Sequence, residues 1–196
     1  MGMKELYYKF LAHYLLLLKD PEIGSIMVDT TTILRSLCSD AYLQELQEAK
    51  MDDHGNLRPG EKLRTQLQEI EYREPNSRMN SLIMQAKAYK KDLILIHHAD
   101  DEYANTLVNG QYVKAPTGKR IRKGWRPLVN LVDMVVKSYS KIESVPNPDK
   151  PGESKKVYMP YCLIELAAPP TLIGMELREP TFELLVNLRK MARGEM

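Results

Sequence analysis

Ser25-Ile26-Met27-Val28-Asp29-Thr30 and Leu93-Ile94-Leu95-Ile96-His97-His98 carry the strongest fold signal in the chain. Each is a short apolar run closed by polar residues. Apolar character on consecutive residues, rather than on alternate ones, marks a strand buried on both faces, which is the habit of parallel sheets. Helical spacing surrounds them. Leu6, Tyr7, Phe10, Leu11, Tyr14, Leu17 and Leu18 form one stripe that ends at Asp20-Pro21, and Met79, Leu82, Ile83, Ala86 and Tyr89 form another within Arg78 to Tyr89. Helix, strand, helix, strand is the order of right-handed crossover units. The expectation is an α/β core with both strands adjacent and parallel, and with Asp29 and His98 at one carboxyl edge.

Working outward, the run Asp52 to Gly60 is turn chemistry between helical segments expected at Leu43 to Ala49 and Leu63 to Ile70. Tyr103 to Lys123 contains Asn109-Gly110 and reads as a hairpin or long loop with a basic flank. Val129 to Tyr139 supplies a third strand candidate, and Pro146 to Glu153 a polar loop. Lys156 to Ala167 and Leu172 to Met175 look like strands near a sheet edge, and Thr181 to Met191 like a closing helix. With no internal repeat, residues 1–196 read as a single domain.

Composition excludes whole classes. With 43% hydrophobic and 28% charged residues in 196, the chain is neither fibrous nor wholly disordered. The longest apolar stretch, Tyr14 to Leu18, is far below the ~20 residues that cross a bilayer. The amino terminus shows no signal-peptide pattern, so no membrane and a cytoplasmic setting are expected. Cys38 and Cys162 are unrelated in spacing and read as buried thiols. The net charge of +2 identifies no partner, but its distribution is uneven. Acids outnumber bases nine to five from Asp40 to Glu74, whereas Lys114 to Arg126 holds six bases and no acid.

Three places could carry chemistry. Asp29, ending an apolar strand, either caps the next helix or orients Mg²⁺ on a nucleotide through water, since a hard cation takes a hard oxygen. His97 and His98 end the second strand and point to opposite faces, so one could sense a phosphate or its attacking water while the other packs. With Asp100, Asp101 and Glu102 they also form a local cluster of metal-ligand types, the alternative being a hydrolytic metal site. Lys114, Lys119, Arg120, Arg122, Lys123 and Arg126, interleaved with Tyr112 and Trp125, suit phosphate contact and base stacking, or else simply a solvated face. Gly118-Lys119 fails as a phosphate loop, because Val113 stands at the required glycine and Arg120 follows the lysine.

Taken in order, Ile26 to Thr30, Tyr72 through Asn76 to Arg78, Leu93 to His98 with Tyr103, and Gly118 to Asp133 resemble the RecA-like AAA-type P-loop ATPases of bacteriophages, including short ATPases of single-strand annealing and recombination. The resemblance spans nearly the whole chain. It implies a three-layer, mostly parallel P-loop core whose amino-terminal strand and phosphate loop are missing, so that the chain is a truncated or split member. By it, Asp29 is the Walker B aspartate and water-mediated Mg²⁺ ligand, and His98 the polar residue ending the sensor strand. Lys119, Arg120, Arg122, Lys123 and Arg126 lie in a DNA-facing region. ATP and Mg²⁺ would act only with the missing loop supplied, so hydrolysis by this chain alone is not implied. Single-stranded DNA, a separate polypeptide carrying the phosphate loop, and further copies of the chain are the implied partners. The reading from a different class is a non-catalytic nucleic-acid-binding accessory protein.

Overall fold

A computed structural model describes residues 2–108, 111–122, 126–150, 152–168 and 170–195. The chain divides into two compact units, Met1–Arg126 and Pro127–Met196.

In the first unit the expected helix–strand alternation forms. Helix α1 (Met3–Lys19) leads to β1 (Ser25–Asp29), α2 (Thr31–Glu48), α3 (Arg73–Ala88) and β2 (Asp92–Ile96). Strands β1 and β2 are adjacent and parallel, with Ile26 opposite Leu93 and Asp29 opposite Ile96. One face of this pair is covered. Ile26 is buried, and Val28, Leu93 and Leu95 line a small apolar cavity with Phe10 and Tyr14 of α1, Leu34 of α2, and Met79, Leu82 and Ile83 of α3. The Tyr14 hydroxyl donates to the Leu82 carbonyl at 2.7 Å, joining α1 to α3 inside this core. That satisfies the one polar atom the tyrosine brings inward. The α1 stripe is narrower than its spacing predicts: Tyr7, Tyr14 and Leu18 are buried while Leu6 and Leu17 are exposed. No helix forms at Leu63 to Ile70, where only a 3₁₀ turn, Glu69–Tyr72, precedes α3.

A two-stranded ribbon follows, β3 (Ala99–Val108) and β4 (Gln111–Arg122), antiparallel throughout. The Asn109-Gly110 turn lies outside the described residues.

The second unit is a three-stranded antiparallel sheet in the order β5 (Met134–Pro146), β6 (Ser154–Ala167), β7 (Glu176–Arg178), with α4 (Phe182–Arg193) packed on one face. Its core joins Ile164, Ala167 and Leu172 to Met134, Met175, Leu177, Leu185 and Leu188. The strand expected from Val129 starts only at Met134, after a 3₁₀ turn over Arg126–Asn130. The segment expected as a strand at Leu172 to Met175 instead contains the end of a 3₁₀ turn, and β7 begins at Glu176.

The three-layer, mostly parallel RecA-like sheet expected from the sequence is therefore corrected. The described strands fall into three small sheets, of which only β1–β2 is parallel. Connection length explains this. Between β3 and β4, and again between β5 and β6 (residues 147–153), the link is short. A parallel return needs a crossover of about a dozen residues or more, so both pairs close as hairpins.

Both cysteines are buried free thiols. Among the described residues no helix is long and apolar enough to cross a membrane.

Candidate nucleic-acid interface

At the carboxyl edge of β1 and β2 the sequence placed Asp29 and His98. Asp29 is the exposed last residue of β1 and does not cap α2; Thr30 does, its Oγ1 accepting the Ile33 amide at 3.3 Å. Strand β2 stops at Ile96, so the histidines lie in the link to β3 rather than alternating on a strand, with His97 half-buried and His98 exposed. The His98 amide donates to Thr32 Oγ1 at 3.2 Å, which ties this link to the first turn of α2. Asp29 and His98 thus share an edge, as parallel pairing requires.

Among the described residues no three His, Cys, Asp or Glu side chains converge on a metal position. Asp29 therefore stands as a single carboxylate. The chain segment leaving it, Thr30-Thr31-Thr32, contains no glycine to bring backbone amides around a phosphate, and the Thr30 and Thr32 hydroxyls are already engaged. These residues do not by themselves fit an ATP–Mg²⁺ site.

The ribbon is better furnished. Its register places Tyr103 opposite Pro116, Asn105 opposite Lys114, and Leu107 opposite Tyr112. Directly opposed residues share a face, and alternate residues along a strand return to it. Tyr103, Asn105, Leu107, Tyr112, Lys114 and Pro116 therefore occupy one face, and Tyr103, Leu107 and Tyr112 are 57%, 60% and 78% exposed on it. Four residues of strand separate the level of Tyr103 from that of Tyr112, about 13 Å.

Nearer its base the ribbon is irregular. The register shifts between Asp101 and Tyr103, where Thr117, Gly118 and Lys119 stand opposite the single residue Glu102. Gly118 takes φ of 77° there, a left-handed backbone that suits glycine at a bulge. The bulge is pinned by the Thr117 hydroxyl, which donates to Glu102 Oε2 at 2.8 Å and accepts the Lys119 amide at 3.2 Å.

Pairing also changes the electrostatics read from the sequence. Lys114 to Arg126 is acid-free along the chain, but β3 lays Asp100 opposite Ile121, Asp101 opposite Arg120 and Ala99 opposite Arg122. Arg120 Nε lies 3.5 Å from Asp101 Oδ1. Three acids, Asp100 to Glu102, thus flank the basic run. Of the other expected contact residues, Lys119 is exposed at the bulge and Arg122 ends β4. Arg126 begins the 3₁₀ turn beyond the ribbon, and Lys123 and Trp125 lie outside the described residues. The outer half of the ribbon, by contrast, holds Lys114 and no acid from Tyr103 to Pro116.

Charge alone does not single out Tyr103, Asn105 and Leu107, which the pairing places on the exposed face with Lys114. A signal was present. Asn109-Gly110 read from the sequence as a two-residue turn would set Val108 against Gln111, and counting outward from it gives the observed register as far as Tyr103 opposite Pro116, where the bulge shifts it. No protein-family model matches the chain, and no curated protein matches it.

Proposed function

We propose that this chain is a non-catalytic nucleic-acid-binding protein, acting in the cytoplasm, that holds a single strand along the β3–β4 ribbon. One observation carries the reading: Tyr103, Leu107 and Tyr112 are exposed on the same ribbon face as Lys114, where no acid intervenes. Unpaired bases expose flat faces that stack on tyrosine whatever their identity, while a lysine between the rings neutralises backbone phosphate. A duplex hides those base faces. Lys119 and Arg120 extend the phosphate track toward the ribbon base, with Arg120 weakened by its pairing to Asp101.

Fluorescence anisotropy with a labelled single-stranded oligonucleotide tests this at two salt concentrations. Binding is expected to weaken as salt rises. Tyr103→Ala with Tyr112→Ala removes two stacking contacts of about 1–3 kcal/mol each, an expected loss of at least about 30-fold. Binding of the folded double variant at wild-type strength would overturn the proposal.

A second reading draws on the parallel pairing that sets Asp29 and His98 at one edge. It is a nucleotide site completed by a separate polypeptide that carries a phosphate loop. On that reading MgATP leaves the thermal midpoint of the isolated chain unchanged; a rise abolished by Asp29→Ala would show that the chain holds nucleotide unaided.

A further inference from the structure

The two faces of the β5–β6–β7 sheet differ in what their charges touch. On one face Lys141 Nζ lies 2.5 Å from Glu176 Oε2 and Arg178 Nη2 lies 3.1 Å from Glu143 Oε2, while the Tyr139 and Tyr161 hydroxyls donate to Glu176 and Glu143. These groups satisfy one another within the sheet.

The other face carries Cys162 and Ile164, both fully buried. Pairing of β5 with β6 is regular from Val136 onward, so alternation brings Pro160, Tyr158 and Lys156 onto that same face toward the 147–153 link. Opposite them stand Ser140, Ile142 and Ser144. All six are exposed, Tyr158 to 76% and Ile142 to 59%. No acid lies on this face from Ser138 to Pro146 or from Ser154 to Cys162, and Lys156 has no acid partner among the described residues.

The arrangement repeats that of β3–β4. There Tyr112 is opposed by the aliphatic Leu107, and the next pair on the face sets Lys114 against the small polar Asn105. Here Tyr158 is opposed by Ile142, and the next pair sets Lys156 against Ser144. In both ribbons tyrosine and lysine stand two positions apart on one strand, about 7 Å. The core of a protein-docking surface is depleted of lysine and serine, whereas this face surrounds a single ring with Ser140, Ser144 and Lys156. An exposed ring beside an unpaired cation suits a base and its phosphate, and serine hydroxyls are common donors to phosphate oxygens.

We propose that the outer half of the β5–β6 hairpin is a second, weaker site for single-stranded nucleic acid, where Tyr158 stacks on a base and Lys156 with Ser144 holds the phosphate. This site rests on the β3–β4 reading for its chemistry and shares none of its residues. One ring stands where β3–β4 has two, which weakens binding by at least about 5-fold. No second cation joins Lys156 on these pairs, so β3–β4 fills first.

Photocross-linking of the full chain to a bromouracil-containing single-stranded oligonucleotide, with adducts mapped by mass spectrometry, tests the site. Adducts at Tyr103 or Tyr112 are expected at low oligonucleotide concentration, and a further one at Tyr158 as the concentration rises. Lys156→Glu changes an exposed side chain with no ion pair to lose, so the fold is expected to hold. Below saturation it is expected to cut the Tyr158 adduct by about 10-fold or more and to leave the β3–β4 adducts unchanged. No adduct at Tyr158, or one that Lys156→Glu leaves at full yield, would overturn the proposal and leave this face to solvent or to a protein. Adducts at Tyr158 without any at Tyr103 or Tyr112 would uphold this site and overturn the β3–β4 reading instead. Adducts at none of the three would overturn both.

Discussion

Replacing Arg78 with methionine is expected to destabilise the first unit by about 3 kcal/mol, and the sum can be built from its contacts. The side chain is 12% exposed, and Nη2 donates to Glu45 Oε2 at 2.6 Å while Nε donates to Glu74 Oε1 at 3.1 Å. The guanidinium carbon also lies 4.9 Å from the Tyr7 ring centroid and 5.6 Å from that of Tyr42. A charge-assisted bond to a partly buried carboxylate contributes about 1.5–2 kcal/mol, and the half-exposed helical pair with Glu74 about 0.3–0.5 kcal/mol. Each ring adds about 0.5–1 kcal/mol. Methionine keeps the aliphatic packing and relieves the buried Nη1, which has no hydrogen-bond partner among the described residues. The estimate therefore sits toward the lower end of the sum, and much of it is the Glu45 carboxylate left without its cation. Adding Glu45→Leu should return about 1.5 kcal/mol. Urea unfolding followed by circular dichroism measures both, and a double-mutant cycle isolates the coupling. A loss below about 1 kcal/mol for Arg78→Met, or additive effects of the two changes, would refute this account of what holds α1, α2 and α3 together.

Lys90 follows α3 with φ of 54°, and the Lys91 amide bonds back to the Ala86 carbonyl, so Lys90→Gly should raise stability by about 1 kcal/mol in the same unfolding assay. Thr181 Oγ1 accepts the Leu184 amide at 3.1 Å, and Thr181→Ala should lower the stability of the second unit by about 1 kcal/mol, read as a drop in its thermal midpoint. Burial pushes the Cys38 thiol up to about 11. A thiol reagent should therefore leave it unmodified in the folded chain at neutral pH, and modification at the rate of a free thiol would contradict its burial. The Lys141 ammonium, with help from the Tyr139 hydroxyl, holds the Glu176 carboxyl below its ordinary value. Because that value is lowered by folding, the pairing contributes to stability above the unfolded carboxylate's pKa, and the contribution is lost as pH falls through the lower folded one. Lys141→Ala should raise the Glu176 midpoint in an NMR titration, and an unmoved midpoint would contradict the assignment.

The local elements were legible because their information is local. Spacing alone located α1 and α3, the two apolar runs became β1 and β2 in parallel, and Thr181 with its downstream apolar residues marked α4. Buried cysteines followed from their type. Leu63 to Ile70 misled because its leucines and isoleucine sit at intervals a helix could use, whereas Leu63 and Ile70 remain exposed and leave such a helix little burial to stabilise it.

Which distant residues meet is settled only on folding. Strand pairing set Asp100 and Asp101 opposite the basic run, turning an acid-free segment of chain into a partly neutralised surface. The same pairing brought Tyr103 and Tyr112, nine positions apart in the sequence, onto one face. Helices closed one side of β1 and β2 and left the other open, although Ile94 and Leu95 are equally apolar as letters. Hydrophobicity and periodicity are properties of single residues and their neighbours, so the sequence determines them by itself. Charge neutralisation, a shared face and a bare one belong to pairs of distant residues, and only the folded backbone fixes those pairs.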